Sequence, residues 1–192
     1  MEWFGYTRAY AHLFARLQRA GWLRSLGSGG RVLECGIGTG VLSLALAGVA
    51  PVQEVVGVDL APDMLDEAAA RLAAAGIAAR MQRTDAHRLP HADASFDAGL
   101  SAHMLEHLAE PARAIGEMAR VLRPGAPLVI VATRGNLADA FIRLRWRHVP
   151  IAPGQLIAWM RAAHLENIVD CAIGHALSPS RWFSRAFIGR KS

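Results

Sequence analysis

Short apolar runs alternate with longer, alanine-rich stretches along this chain. The runs at 31–34, 54–59, 79–84, 97–101 and 127–133 are brief, bounded by turn residues and apolar in succession. That pattern predicts strands of a parallel sheet buried on both faces. The stretches between them, at 39–48, 63–75 and 111–122, predict helices, the second with Asp63 as its N-cap. Right-handed crossovers then put helices on both sides of one sheet. A further helix is expected over 153–164, with late strands near 167–173 and 182–188. Ahead of them all, residues 2–25 read as a helix carrying Trp3, Phe4, Tyr6, Tyr10, Phe14, Leu17 and Trp22 among arginines.

A chain of 192 residues suits one domain. Hydrophobic residues at 53% and charged ones at 19% are too apolar for a disordered chain. With two cysteines, Cys35 and Cys171, and no Cys-x-x-Cys pair, a disulfide scaffold is excluded and no role is assigned to either thiol. The opening residues lack the basic and apolar regions of a secretory signal, so the expected compartment is the cytoplasm. The longest uncharged run, Cys35 to Gln53, is broken by Gly36, Gly38, Gly40, Gly48 and Pro51 and reads as a buried turn and helix. Charge is partitioned. Residues 1–33 hold five basic side chains against one acid, 34–117 hold twelve acids against five, and 118–192 hold eleven basic side chains against three acids.

The acidic centre contains the clearest chemistry. The first strand runs into Glu34-Cys35-Gly36-Ile37-Gly38-Thr39-Gly40 and then a helix. Glycines there permit positive φ and remove the Cβ that would hold a ligand away, while free N–H groups at the helix start favour an anion. A dinucleotide fingerprint needs G-x-G-x-x-G, but the last position is Val41 counted from Gly36 and Ser43 counted from Gly38. Asp59 ends the second strand, where a carboxylate can accept both hydroxyls of a ribose; a helix-capping surface aspartate is the plainer alternative.

The loop resembles the E/D-x-G-x-G-x-G loop of class I S-adenosylmethionine-dependent methyltransferases. Asp85-Ala86, Leu89-Pro90 and Ser95-Phe96-Asp97 resemble a second stretch of that family, Leu105-Glu106-His107-Leu108 its L-E-H-L segment, and Arg120 to Gly125 its R-V-L-K-P-G turn. Together they span about residues 31–133. The pattern is similar to the compact ubiquinone/menaquinone and small-molecule methyltransferases. The resemblance implies a doubly wound α/β, Rossmann-like sheet of seven strands, mostly parallel with one antiparallel late strand. It implies S-adenosyl-L-methionine as cofactor, with Gly36, Gly38 and Gly40 beneath its methionine and ribose and Glu34 near its amino group. Asp59 would take the ribose hydroxyls, Leu60 cover the adenine, Asp85 and the Ala86 backbone meet its edge, and Ser101 lie near the methionine. Residues 1–30 would form a helical cap, 31–133 the cofactor core, and 134–192 an acceptor-side insert with the last strands. Two departures stand out: Gly125-Ala126-Pro127 where relatives continue P-G-G, and no Tyr-Asp pair in the first helix, where Tyr6 or Tyr10 would substitute.

Methyl transfer from a sulfonium needs positioning and dryness more than a dedicated catalyst, and no metal. Where the nucleophile is a hydroxyl a base helps, and His103 and His107 are the candidates; pocket-wall residues are the plainer reading of both. The rival from another class is zinc hydrolysis, since 103–107 spells H-x-x-E-H with His103, Glu106 and His107. It leaves the glycine loop and Asp59 unexplained. A binding module without catalysis is the third reading. The acceptor is expected to be a small molecule, and the acceptor atom and oligomeric state are not legible. The arginines of the first helix and Arg134, Arg143, Arg145, Trp146, Arg147 and His148 suit an anionic or membrane-held acceptor, a phospholipid head group or quinone precursor, or else simply a solvated face. Nucleic acid ranks lower, because no binding motif accompanies the charge.

Overall fold

The computed structural model describes residues 4–133, 151–173 and 184–192, leaving out the side chains of Phe4 and Gly5. The described strands form one sheet: β1 (Gly30–Cys35), β2 (Val52–Asp59), β3 (Ala79–Arg83), β4 (Ala98–Ala102), β5 (Pro127–Thr133), β6 (Leu165–Ala172) and β7 (Ser184–Lys191). Their order is β3-β2-β1-β4-β5-β7-β6. The first five pair in parallel, and β7 runs antiparallel between β5 and β6. The doubly wound sheet expected from the sequence is therefore present. Winding starts at β1, goes outward to β3 and restarts at β4, so the crevice at the carboxyl ends of β1 and β4 is the topological switch point.

The helices are α1 (Phe4–Arg19), α2 (Val41–Ala47), α3 (Pro62–Ala74), α4 (Pro111–Val121) and α5 (Pro153–Ala162). The expected first helix ends early because Gly21 adopts φ 75°, after which Arg24–Leu26 form a single 3-10 turn. Asp63 is not the cap of α3. Ala61 holds that position without a side-chain bond, Pro62 opens the helix, and Asp63 lies in the first turn, where its charge meets the helix dipole. The strand expected at 167–173 begins at Leu165, and Trp182, expected in the last strand, lies outside the described residues, as do Trp3 and the basic cluster from Arg134 to His148.

Both faces of the sheet are covered. Leu33, Val56, Leu128 and Ile130 pack with Ile115 and Met118 of α4 and Met160 of α5. On the other face Val32, Leu100 and Val129 pack with Tyr10, Leu13, Phe14 and Leu17 of α1 and with Leu42 and Leu46 of α2. Tyr10 and Phe14 of α1 are thus core, while its arginines, Arg8, Arg16 and Arg19, face water. Trp22 is half-buried beneath the Arg190 guanidinium, 4.7 Å from its ring.

The segment between β3 and β4 has little regular structure, and one side chain organises it. Arg120 of α4 donates to the Leu89 carbonyl at 3.1 Å, the His91 carbonyl at 2.9 Å and Asp93 at 2.6 Å, and pairs with Glu117. Glu117 in turn accepts the Leu89 N–H at 2.9 Å. The expected R-V-L turn thereby holds the loop that carries Asp85 and Ala86.

Candidate active site

The glycine loop leaves β1 with its backbone in left-handed conformations: φ is 68° at Gly36, 51° at Gly38 and 75° at Gly40. Side chains disfavour this region, which explains the residue type. The space around each differs. A Cβ on Gly36 would lie 2.6 Å from Met104, whereas one on Gly38 would meet nothing within 4 Å. Gly36 is needed for packing and Gly38 leaves an opening. Gly40 serves as the N-cap of α2.

That opening belongs to a cavity of about 380 Å³ at the switch point, lined by Gly36, Gly38, Val58, Asp59, Leu60, Thr84, Asp85, Ala86, Ala102, His103, Met104, His107 and Leu108. Asp59 Oδ2 accepts the Gly38 N–H at 3.0 Å and Oδ1 the Ala61 N–H at 3.1 Å, which fixes the carboxylate at the cavity wall. Beside it Leu60 is 59% exposed, a large apolar side chain with nothing over it. Asp85 Oδ1 accepts from the His87 N–H at 2.9 Å and lies 2.7 Å from His87 Nδ1, and these bonds hold its carboxyl below the usual range. A carboxylate, an uncovered apolar face and a backbone without Cβ are what a nucleoside requires, so the residues present fit S-adenosylmethionine.

The opposite wall carries the histidines. His103 follows β4 with φ 54°, uncommon for a side-chain-bearing residue. Its N–H donates to the Val131 carbonyl at 2.9 Å. Nδ1 lies 3.2 Å from Thr133 Oγ1, Nε2 3.4 Å from Ser184 Oγ, and the Tyr6 ring meets it edge-on at 5.6 Å. Tyr6 Oη is 3.2 Å from Ser184 Oγ. Tyr6, not the buried Tyr10, is therefore the α1 residue that reaches the site; burial pushes the Tyr10 hydroxyl far above its usual range. His107 lines the same cavity.

Three expected cofactor residues are not among those lining the cavity: Gly40, which caps α2, and Ser101 and Glu34. Ser101 is buried on the sheet face opposite Leu100, and its neighbour Ala102 lines the cavity instead. Glu34 is 1% exposed and turned toward α2, where Oε2 accepts the Ser43 N–H at 3.0 Å and the Ser43 hydroxyl. The helix-start N–H expected to greet a ligand is thus taken by the protein's own carboxyl. Burial raises Glu34 to about 8, with the Asp59 charge adding to it and the two Ser43 bonds opposing. The folded protein therefore binds this proton more tightly than the unfolded chain, whose value is 4.5. The contribution to stability is complete below about pH 4.5 and lost as pH rises through about 8. Glu34→Gln, which cannot ionise, is expected to gain melting temperature over wild type as pH rises through this window. Thermal scans of ligand-free protein at pH 5, 7 and 9 would show it, and a constant difference would contradict it.

The zinc reading fails on geometry. The segment 103–107 is not an α-helix: His103 is in left-handed backbone and only Leu105–His107 form a 3-10 turn, so the two histidines do not share a helix face. Among the described residues no group of three or more His, Cys, Asp or Glu is arranged to hold a metal ion. Sequence reading also missed Thr133 and Ser184, which β5 and β7 bring together from 51 positions apart; neither belongs to a motif, and only strand pairing joins them.

The family described as methyltransferase domain matches residues 33–130. The demethylmenaquinone methyltransferase of Deinococcus radiodurans is 37% identical over 137 residues, covering 70% of this chain and 57% of that protein. The ubiquinone biosynthesis O-methyltransferase of Hahella chejuensis is 32% identical over 154 residues, covering 72% of this chain and 63% of that one. The chain thus spans less than two thirds of the length of these relatives. Among solved structures, magnesium protoporphyrin IX methyltransferase from Synechocystis PCC 6803 with bound SAH superposes with a TM-score of 0.74 at 19% identity, covering 98% of this chain and 84% of that chain. At that identity the likeness is one of fold.

Proposed function

Because the chain belongs to the methyltransferase domain family of class I S-adenosylmethionine-dependent enzymes, we propose that it transfers a methyl group from S-adenosylmethionine to a small molecule of quinone-precursor type. The observation that carries this reading is the cavity itself. One wall offers a carboxylate, an uncovered leucine and a Cβ-free backbone, and the other offers two histidines. When bound, the cofactor supplies an electrophilic methyl group on a sulfonium. Gly36, Gly38 and Asp59 hold its ribose side, with Leu60, Asp85 and Ala86 around the adenine. Residues 31–133 make the cofactor half; residues 1–30 and 134–192 supply the acceptor side. His103 takes the proton of an acceptor hydroxyl, and His107 shapes the pocket. The relatives' names support a quinone-type acceptor but differ over the atom, oxygen in some and carbon in others.

Native mass spectrometry of the purified protein is the first test. A retained species with the mass of the cofactor or its demethylated product is expected. No bound species even after S-adenosylmethionine is added at saturating concentration would contradict the reading.

A second reading, with the acceptor presented at a membrane surface, is favoured by the exposed Arg8, Arg16, Arg19 and Arg24. No described helix is long and apolar enough to cross a membrane, and Tyr10 and Phe14 of α1 are spent on the core, so adsorption would rest on charge. Co-sedimentation with anionic vesicles at low salt, lost at high salt, is its signature.

A further inference from the structure

Glu106 lies behind the cavity wall rather than in it. It is 2% exposed, and Oε1 accepts the Thr133 N–H at 2.6 Å. Oε1 is also 3.7 Å from His103 Nδ1, an electrostatic contact longer than a hydrogen bond, while Oε2 is buried with no partner among the described residues. Burial opposes the charge, but the neighbouring imidazole and the Thr133 N–H outweigh it and hold the carboxyl at about 2. A buried carboxylate with an unmet oxygen is costly, by about 1–3 kcal/mol for such a group. Something other than stability accounts for it.

The ring beside it is unusually constrained. His103 takes an uncommon backbone conformation and is flanked by Tyr6 from α1, Thr133 from β5 and Ser184 from β7. Of Tyr6, Thr133, Ser184 and Glu106 around the ring, Glu106 is the one that bears a carboxylate. The hydroxyls of Thr133 and Ser184 can each donate or accept, so they do not decide which ring nitrogen carries the proton. A carboxylate only accepts, and it faces Nδ1.

We propose that Glu106 is the positioning residue of the site, fixing the Nδ1–H tautomer of His103 so that the Nε2 lone pair receives the acceptor's proton. The inference rests on the methyl-transfer reading and deepens it. In the step, the acceptor O–H proton moves to Nε2 and the nucleophile bonds to the methyl carbon as the carbon–sulfur bond breaks. That bond's electron pair stays on sulfur. Positive charge leaves the sulfonium and reappears on the imidazolium, where Glu106 neutralises it. A carboxylate buried behind the ring thus stabilises the charge that develops during transfer without contacting either reactant.

The test reads the ring directly. In 15N-histidine-labelled protein, with the His103 signals assigned by their loss in His103→Gln, the neutral ring is expected as the Nδ1–H tautomer. In Glu106→Gln the Nδ1–H tautomer should lose its dominance, because the amide that replaces the accept-only carboxylate can also donate. Affinity for S-adenosylhomocysteine should stay within about twofold, and kcat should fall about tenfold or more with no further loss in the His103→Gln background. An Nε2–H tautomer in the wild type, or an unchanged tautomer preference in Glu106→Gln, overturns the proposal. If Glu106→Gln does not fold, Thr133→Val decides: the Nδ1–H tautomer should persist, and its loss would assign control to Thr133. Failure of the wild type to bind S-adenosylhomocysteine would instead sink the methyl-transfer reading, and the ring measurement is independent of it.

Discussion

Asp59→Ala is expected to weaken binding of S-adenosylhomocysteine by about a hundredfold to ten-thousandfold while leaving a folded protein. Hydrogen bonds to a charged group contribute about 1.5–3 kcal/mol each, and a ribose diol offers two donors to one carboxylate. In the ligand-free structure the same carboxylate holds Gly38 and Ala61 by their N–H groups. The variant therefore also loosens the opening of the glycine loop, and some melting temperature is lost with it. Asp59→Asn separates the two effects, since an amide oxygen can keep one backbone bond but offers no charge. Calorimetric titration should rank wild type above Asn and Asn above Ala. Equal affinities in folded protein would remove Asp59 from the site.

His103→Ala is expected to reduce kcat by about a hundredfold to ten-thousandfold, the range for loss of a positioned general base. Affinity for S-adenosylhomocysteine should change little, because the ring stands on the wall away from Asp59 and Leu60. His107→Ala should lower turnover less, as it lines the cavity while His103 is the ring that Thr133, Ser184 and Glu106 face. Parallel loss of cofactor affinity in both variants would refute their placement on the acceptor side.

The central parallel strands β1, β4 and β5 were legible because each is a mostly apolar run buried on both faces, whereas the edge strand β3 is largely exposed and alternates Arg80, Met81 and Gln82. Boundaries slipped where a single residue overrode the pattern, as Gly21 does for α1 and Pro62 for α3. Among site residues, Gly36, Gly38, Asp59, Leu60, Asp85, Ala86, His103 and His107 come together in one cavity because each lies at or just past the carboxyl end of a strand, a position set by strand order. Glu34 and Ser101 are within the strands themselves, where the pleat decides which face a side chain takes. A one-residue difference in alternation separates a ligand contact from a core position. Thr133, Ser184 and the role of Glu106 were invisible for another reason. They depend on β7 inserting antiparallel beside β5, a long-range pairing that no local motif encodes.

The most direct measurement is turnover with methyl-labelled S-adenosylmethionine and a panel of hydroxylated naphthalene and benzene acceptors related to quinone precursors, followed by mass spectrometry of both products. The expected result is an acceptor heavier by one methyl group, formed with equimolar S-adenosylhomocysteine and lost together in Asp59→Ala. Tight binding of S-adenosylhomocysteine with no methylated product from any acceptor would contradict catalysis and leave a cofactor-binding module.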